Sequence, residues 1–284
     1  MFKKKQIFKK SDAKTALPSA RPAFKKSAPK AKPAHQTGWG EIAQEYAESY
    51  THDADSYHAA VIMPNLMRLV NPRQGQRILE VGCGDGYFAD AFAKKGAAVT
   101  GSDIAPEMVE KARARNAAVT WHTASADALT FAKDASYDAV VVVLAIQNIE
   151  NLSGAIAEAS RVLIPGGSLF MVLNHPAFRI PKRSFWGWDE SIGFQYRRMD
   201  GYLSESREKI DMDPGKTAGK RITISFHRPL QVYMKALSKC GFAITGLEEW
   251  ISHKASQPGP KADAENRARK EFPLFLMVKA EEID

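Results

Sequence analysis

From Gly40 onward the apolar positions alternate between two periods. Ile42, Ala43, Tyr46, Ala47 and Tyr50 recur at helical spacing, and a second apolar segment, AAVIMPNLMRLV, runs into an Asn71-Pro72 break. Together they predict an N-terminal helical flap over residues 37–75. RILEVG then reads as a buried strand, YFADAFAKKG as a helix stopped by Gly96, AAVTGSD as a second strand, and APEMVEKARAR as a helix with Pro106 in its first turn. A short third strand is expected around VTWHT. YDAVVVVLAI is too continuously apolar for a half-exposed strand and predicts a central parallel one. Leu152, Ala155, Ile156, Ala159, Val162 and Leu163 mark one face of a helix that ends at PGG, before the strand SLFMVLN. Alternation of this kind predicts a doubly wound α/β sheet.

Residues 176–222 interrupt that alternation. SFWGWDE and GFQYRRMDGYL concentrate Trp186, Trp188, Tyr196, Arg197, Arg198 and Tyr202, and KRITISF alternates as a strand expected to close a hairpin with FQYRRMDGYL. The segment reads as a lid. Beyond it, Leu230, Tyr233, Leu237 and Cys240 share a helix face, and FAITGLEEWIS and FPLFLMVKA read as two strands.

Composition adds a division of charge. The chain has 284 residues, 44% of them hydrophobic, and a net charge of +8. Residues 1–36 hold ten lysines and Arg21 against a single acid, Asp12, a net +10, which leaves about −2 for residues 37–284. The first 36 residues are therefore expected to be a disordered basic tail, suited to weak contact with RNA, the ribosome or an anionic membrane. No apolar run reaches the roughly 18 residues of a membrane span, and a cytoplasmic location is expected. Cys83 and Cys240 are the only cysteines, which excludes a disulfide framework, and their surroundings show no metal-ligand spacing.

The chemistry is concentrated in ILEVGCGDGYF, residues 78–88. Glycines at a strand-to-helix handover let the backbone turn sharply and approach a ligand closely. The spacing is G-x-G-x-G, unlike the G-x-G-x-x-G of dinucleotide enzymes, and no Lys-Ser/Thr of a phosphate loop follows. Glu80 would repel a pyrophosphate but suits a cationic amino-acid headgroup. Asp103, at the end of the second strand, stands where an acid commonly holds both hydroxyls of an adenosine ribose. Both acids also have plainer readings, Glu80 as a satisfied strand-end acid and Asp103 as a helix cap.

Taken in order, ILEVGCGDGYF, VTGSDIAPEMVEKAR, ASADAL and RVLIPGGSLFMV resemble the class I S-adenosylmethionine-dependent methyltransferases, nearest to the type that includes quinone-biosynthesis enzymes. The resemblance covers residues 76–174. It implies a Rossmann-like, mostly parallel seven-stranded sheet with an antiparallel closing hairpin, and S-adenosylmethionine as cofactor. It assigns Gly82, Cys83 and Gly84 to the methionine part, Asp103 to the ribose, Ile104 and Met108 to the adenine face, and Asp127 to the adenine amino group. Candidates at sheet ends facing the cofactor are Gln147, Asn148, Asn174 and His175; His58 in the flap is another. His175 and His58 are the candidate general bases. Trp186, Trp188, Arg197 and Arg198 of the lid suit a flat, acidic acceptor, a nucleobase beside phosphate, or a small satellite core. The expected function is methyl transfer to a small organic acceptor. The alternatives are an RNA or protein methyltransferase docked by the tail, and a cofactor-binding module without chemistry.

Overall fold

A computed structural model describes residues 38–283 except 46, 48–52, 216 and 218; the basic tail, Tyr46 and Tyr50 lie outside the described residues. A widened turn at His58–Ile62 leads into helix α1 (Met63–Val70). Pro64 has no N–H to return to the preceding turn, so the ladder is interrupted there. Asn71, with φ +46°, ends the helix in the left-handed conformation that asparagine tolerates.

The core alternates β1 (Arg77–Val81), α2 (Tyr87–Lys94), β2 (Ala98–Asp103), α3 (Pro106–Arg115), β3 (Thr120–Thr123), β4 (Tyr137–Val143), α4 (Leu152–Val162) and β5 (Leu163–Asn174). Four later strands, β6 (Ser184–Asp189), β7 (Phe194–Met199), β8 (Ser206–Asp211) and β9 (Ile222–His227), precede α5 (Leu230–Lys239). The described chain then runs through β10 (Phe242–Trp250), α6 (Ala262–Glu271) and β11 (Phe275–Glu282). Seven strands form one sheet in the order β10-β11-β5-β4-β1-β2-β3. Strands β1 to β5 are parallel where they pair, and β11 lies antiparallel to both β5 and β10.

Side-chain alternation explains why the central strands are apolar throughout. Ile78, Val141 and Val143 join Leu66 of α1, Phe88 and Phe92 of α2 and Val109 of α3 in one layer. Leu79, Val140 and Val142 join Ile156 and Val162 of α4 and Tyr233 and Leu237 of α5 in the other. Both faces of the sheet are covered, so no position on these strands can be polar without a reason. The chain leaves β1 in opposite directions, through β2 and β3 on one side and β4 and β5 on the other. The crevice above that divergence is where such sheets bind ligands.

The lid region differs from the expected pairing. KRITISF does not pair with FQYRRMDGYL: β9 pairs with β8, and β7 pairs with β6. The four residues 190–193 close the β6–β7 hairpin, with Gly193 at φ +60° supplying the turn, so FQYRRM meets its nearest neighbour at little closure cost. The longer connection from β8 to β9 is held by ion pairs. Lys220 Nζ lies 2.6 Å from Asp211, and Arg221 donates to Asp213 through Nε at 2.7 Å.

Candidate active site

β1 passes into α2 through a loop whose three glycines all take positive φ: +71° at Gly82, +54° at Gly84 and +77° at Gly86. A Cβ on Gly82 would lie 2.4 Å from the Cβ of Ala145, just past β4, so only glycine lets the ends of β1 and β4 come this close. The N–H groups of Gly82 and Cys83 both donate to the Ser102 carbonyl, at 2.8 and 2.9 Å. Asp103 completes the attachment. Its Oδ2 accepts the Gly84 N–H at 3.0 Å and its Oδ1 the Ala105 N–H at 2.9 Å. Asp85, buried in the same loop, pairs with Arg115 at the end of α3; the Arg115 Nε also donates to the Asp85 carbonyl at 2.9 Å.

These elements enclose a cavity of about 580 Å3 above the carboxyl ends of β1, β2 and β4. Glu80, Gly82, Cys83, Gly84, Asp103, Ile104, Met108, Asp127, Asn148 and His58 all line it. Glu80 is 1% exposed, and its Oε2 accepts the Ala89 N–H at 2.8 Å in the first turn of α2. Burial pushes its pKa well above the usual carboxylate range against that one opposing hydrogen bond, and the charges of Asp85 and Asp103 push the same way. Burial also raises Asp103, opposed by the N–H groups of Ala105, Gly84 and Ile104. Cys83 has its thiol raised well above the ordinary value by burial and by Asp103 and Glu80, the opposite of an activated nucleophile. Asp127 accepts from Ser125 Oγ and, at 2.8 Å, from Asn151 Nδ2, while Asn151 Oδ1 caps α4 by accepting from Gly154.

His58 sits tilted against the Phe88 ring at 6.0 Å, and desolvation lowers its pKa to about 4. It is neutral at pH 7. Because the folded value lies below the unfolded 6.5, the unfolded chain takes up this proton first as the pH falls, and stability drops between pH 6.5 and about 4. Relative to a His58→Gln variant, the native protein is therefore expected to lose up to about 3 kcal/mol across that window. Denaturant unfolding at stepped pH measures it. Parallel profiles for the two proteins would mean that the imidazole is solvated.

Several candidates lie outside the cavity. The backbone places His175 beyond the end of β5, 5% exposed, with Nε2 2.8 Å from Glu249 Oε1 and Nδ1 accepting the Ala177 and Phe178 N–H groups at 3.2 and 3.4 Å. Both ring nitrogens are engaged, as in a histidine that holds a loop. Asn174 pairs with Phe275 at the strand end, and Gln147 turns back to donate to the Leu144 carbonyl at 2.7 Å. Trp186, Trp188, Arg197 and Arg198 belong to the β6–β7 hairpin, which packs toward α6. Trp186 meets Phe272 edge-on at 5.5 Å and carries the Arg197 guanidinium at 4.9 Å; Lys261 covers Trp188 at 4.4 Å; and Arg198 pairs with Asp200 at 3.0 Å. The other hairpin covers the cavity instead, contributing Arg207, Ile224 and Phe226. Trp39, Tyr87, Glu150 and Asn151 also line it and were not foreseen. The alternation of RITISF, which places Ile224 and Phe226 on one face, was the available signal for the hairpin residues.

Residues 79–171 match the family model described as a methyltransferase domain. That stretch of the chain, from β1 to β5, is similar to a methyltransferase domain. It is 38% identical over 113 residues to a demethylmenaquinone methyltransferase of Tropheryma whipplei, covering 38% of this chain and 46% of that protein. It is 36% identical over 137 residues to a malonyl-[acyl-carrier protein] O-methyltransferase of Erwinia billingiae, covering 46% of this chain and 54% of that one. The chain thus spans about half the length of the curated relatives it matches. Among solved structures, an S-adenosylmethionine-dependent methyltransferase of Mesorhizobium loti superposes with a TM-score of 0.63 at 28% identity, over 80% of this chain and 100% of that one. The fold is that of an S-adenosylmethionine-dependent methyltransferase, and no helix among the described residues is long and apolar enough to cross a membrane.

Proposed function

We propose that this protein transfers a methyl group from S-adenosylmethionine to a small organic acceptor held beneath the β8–β9 hairpin. The observation that carries the reading is the cavity itself, which joins the glycine loop and Asp103 at one side to an apolar cover, Ile224 and Phe226, at the other. When bound, the cofactor supplies a methyl group already activated by its sulfonium, which leaves alignment and exclusion of water to the protein.

The lining residues suit that division. Glu80 is held in a site that disfavours its charge, and a cationic headgroup beside it restores the charged form. The Asp103 oxygens accept the Gly84 and Ala105 amides at 3.0 and 2.9 Å, and a carboxylate with about four lone-pair sites keeps capacity to accept from the ribose as well. Asp127 can accept from an adenine amino group, and Trp39, Ile104 and Met108 offer apolar surface to the base. On the acceptor side His58 is a neutral, weakly basic imidazole, suited to accepting a hydrogen bond from an acceptor that readily loses its proton. The relatives named for demethylmenaquinone and for a malonyl-acyl-carrier protein are consistent with an organic acceptor.

The +10 tail favours one rival, an RNA or protein acceptor docked electrostatically. Incubation of a cell extract with methyl-labelled cofactor separates them. Label is expected in the small-molecule fraction, and to persist when residues 1–36 are deleted. Label found chiefly in RNA or protein, and lost with the tail, would establish the rival.

A further inference from the structure

The charge of the cavity is uneven. Glu80, Asp103, Asp127 and Glu150 line it, His58 is neutral at pH 7, and among the described residues Arg207 is the one lining side chain that is always cationic. Arg207 makes no hydrogen bond or ion pair with any described residue. Other arginines of the lid are committed: Arg221 to Glu45 and Asp213, Arg197 to the Phe178 carbonyl and Ser184, and Arg198 to Asp200.

The hairpin that presents Arg207 is clamped at both ends. At one end Arg221 Nη1 reaches Glu45 of the flap at 2.6 Å. At the other the buried Arg228 donates through Nη2 to the carbonyls of Ile149 and Glu150, at 2.9 and 2.7 Å, and its guanidinium lies 5.0 Å from the centre of the Phe226 ring. Phe226 is directly opposite Arg207 in the β8–β9 register, and Ile224 lies two residues back on the same face. Arg207 is thus a free cation held beside two apolar side chains, over the loop that follows β4.

We propose that Arg207 and the Ile224–Phe226 face form a subsite for an acceptor that joins an apolar or aromatic body to an anionic oxygen group, a carboxylate or a phosphate. The inference rests on the methyl-transfer reading of this cavity. The acidic lining disfavours an anionic ligand, and a forked guanidinium at the rim offsets that with paired, charge-assisted hydrogen bonds. A neutral acceptor would gain nothing from the arginine.

Binding tests this without turnover. The full chain is saturated with S-adenosylhomocysteine and titrated with naphthoate, naphthyl phosphate and the neutral naphthamide. At least one anion is expected to bind about tenfold or more tightly than the amide, and which anion does so distinguishes carboxylate from phosphate. Arg207→Gln is expected to abolish that preference and Arg207→Lys to keep part of it, with S-adenosylhomocysteine affinity changed by less than about twofold in both. Arg207 is exposed on a hairpin, so neither substitution threatens the core. Equal binding of anions and amide, no binding of any probe, or a preference that survives in Arg207→Gln would overturn the proposal. So would an equal loss of S-adenosylhomocysteine binding in Arg207→Gln, which would assign the arginine to the cofactor carboxylate. Failure of the native protein to take up S-adenosylhomocysteine at all would instead remove the methyl-transfer reading beneath it.

Discussion

Replacing Asp103 with alanine is expected to lower the affinity for S-adenosylhomocysteine by about 10- to 100-fold, the equivalent of losing hydrogen bonds to a charged group. Two losses combine. The ribose hydroxyls lose their acceptor, and the N–H groups of Gly84 and Ala105, now bound at 3.0 and 2.9 Å, lose theirs, so the glycine loop is released from the end of β2. Asp103→Asn sharpens the test. An amide presents only one acceptor oxygen, so its NH2 group must face one of the two backbone donors. The asparagine variant is therefore expected to bind the cofactor nearly as poorly as the alanine one, despite its equal size. Calorimetric titration of both variants, with thermal melting to check folding, decides it; native affinity in Asp103→Ala would remove Asp103 from the cofactor site.

The second large effect is expected at Gly82. An alanine there takes a left-handed backbone at φ +71° and places its Cβ 2.4 Å from that of Ala145. The first costs about 1–2 kcal/mol and the second, as overpacking between β1 and β4, about 1–3 kcal/mol. A total of about 2–5 kcal/mol is expected, with loss of cofactor binding because the strand ends are forced apart just below the cavity. Gly166→Ala is the control. Gly166 has a similar φ of +74°, but nothing lies within 4 Å of its added Cβ, so only the backbone part applies. Denaturant unfolding of the two variants measures the difference. Equal costs would mean that β1 and β4 do not approach closely at Gly82.

The α/β core was legible because its signals are local. Continuous apolar strands, helical stripes such as Leu152 to Val162, and glycines at the handover from β1 to α2 each follow from a few adjacent residues, and the sheet between β3 and β5 has the strands expected of it. The antiparallel closure by β10 and β11 rested on the family resemblance, since periodicity alone does not tell which edge a strand joins. Residues of the glycine loop and of β2 that were singled out by pattern gather around one cavity for the same reason: strand ends at a switch point are close in space wherever the sheet is doubly wound.

The acceptor side was less legible. Aromatic density pointed to Trp186 and Trp188, yet those rings pack with Phe272 and Lys261 near α6, because a concentration of aromatics marks an apolar surface without saying what covers it. Pairing between lid strands depended on a short turn at Gly193 and on ion pairs from Asp211 and Asp213, which alternation does not encode. His175 followed a strand end as expected, but two backbone amides and Glu249 occupy its ring. Asp85 carried no signal of its own in G-C-G-D-G. Its partner, Arg115, lies 30 residues away at the end of α3, a distance at which only the fold brings them together.

The most direct measurement is calorimetric titration of S-adenosylhomocysteine into the full-length native protein. Saturable binding of one molecule per chain is expected, in competition with S-adenosylmethionine, with a marked loss in Asp103→Ala. A native, folded protein that takes up neither molecule at millimolar concentration would contradict the assignment of this cavity.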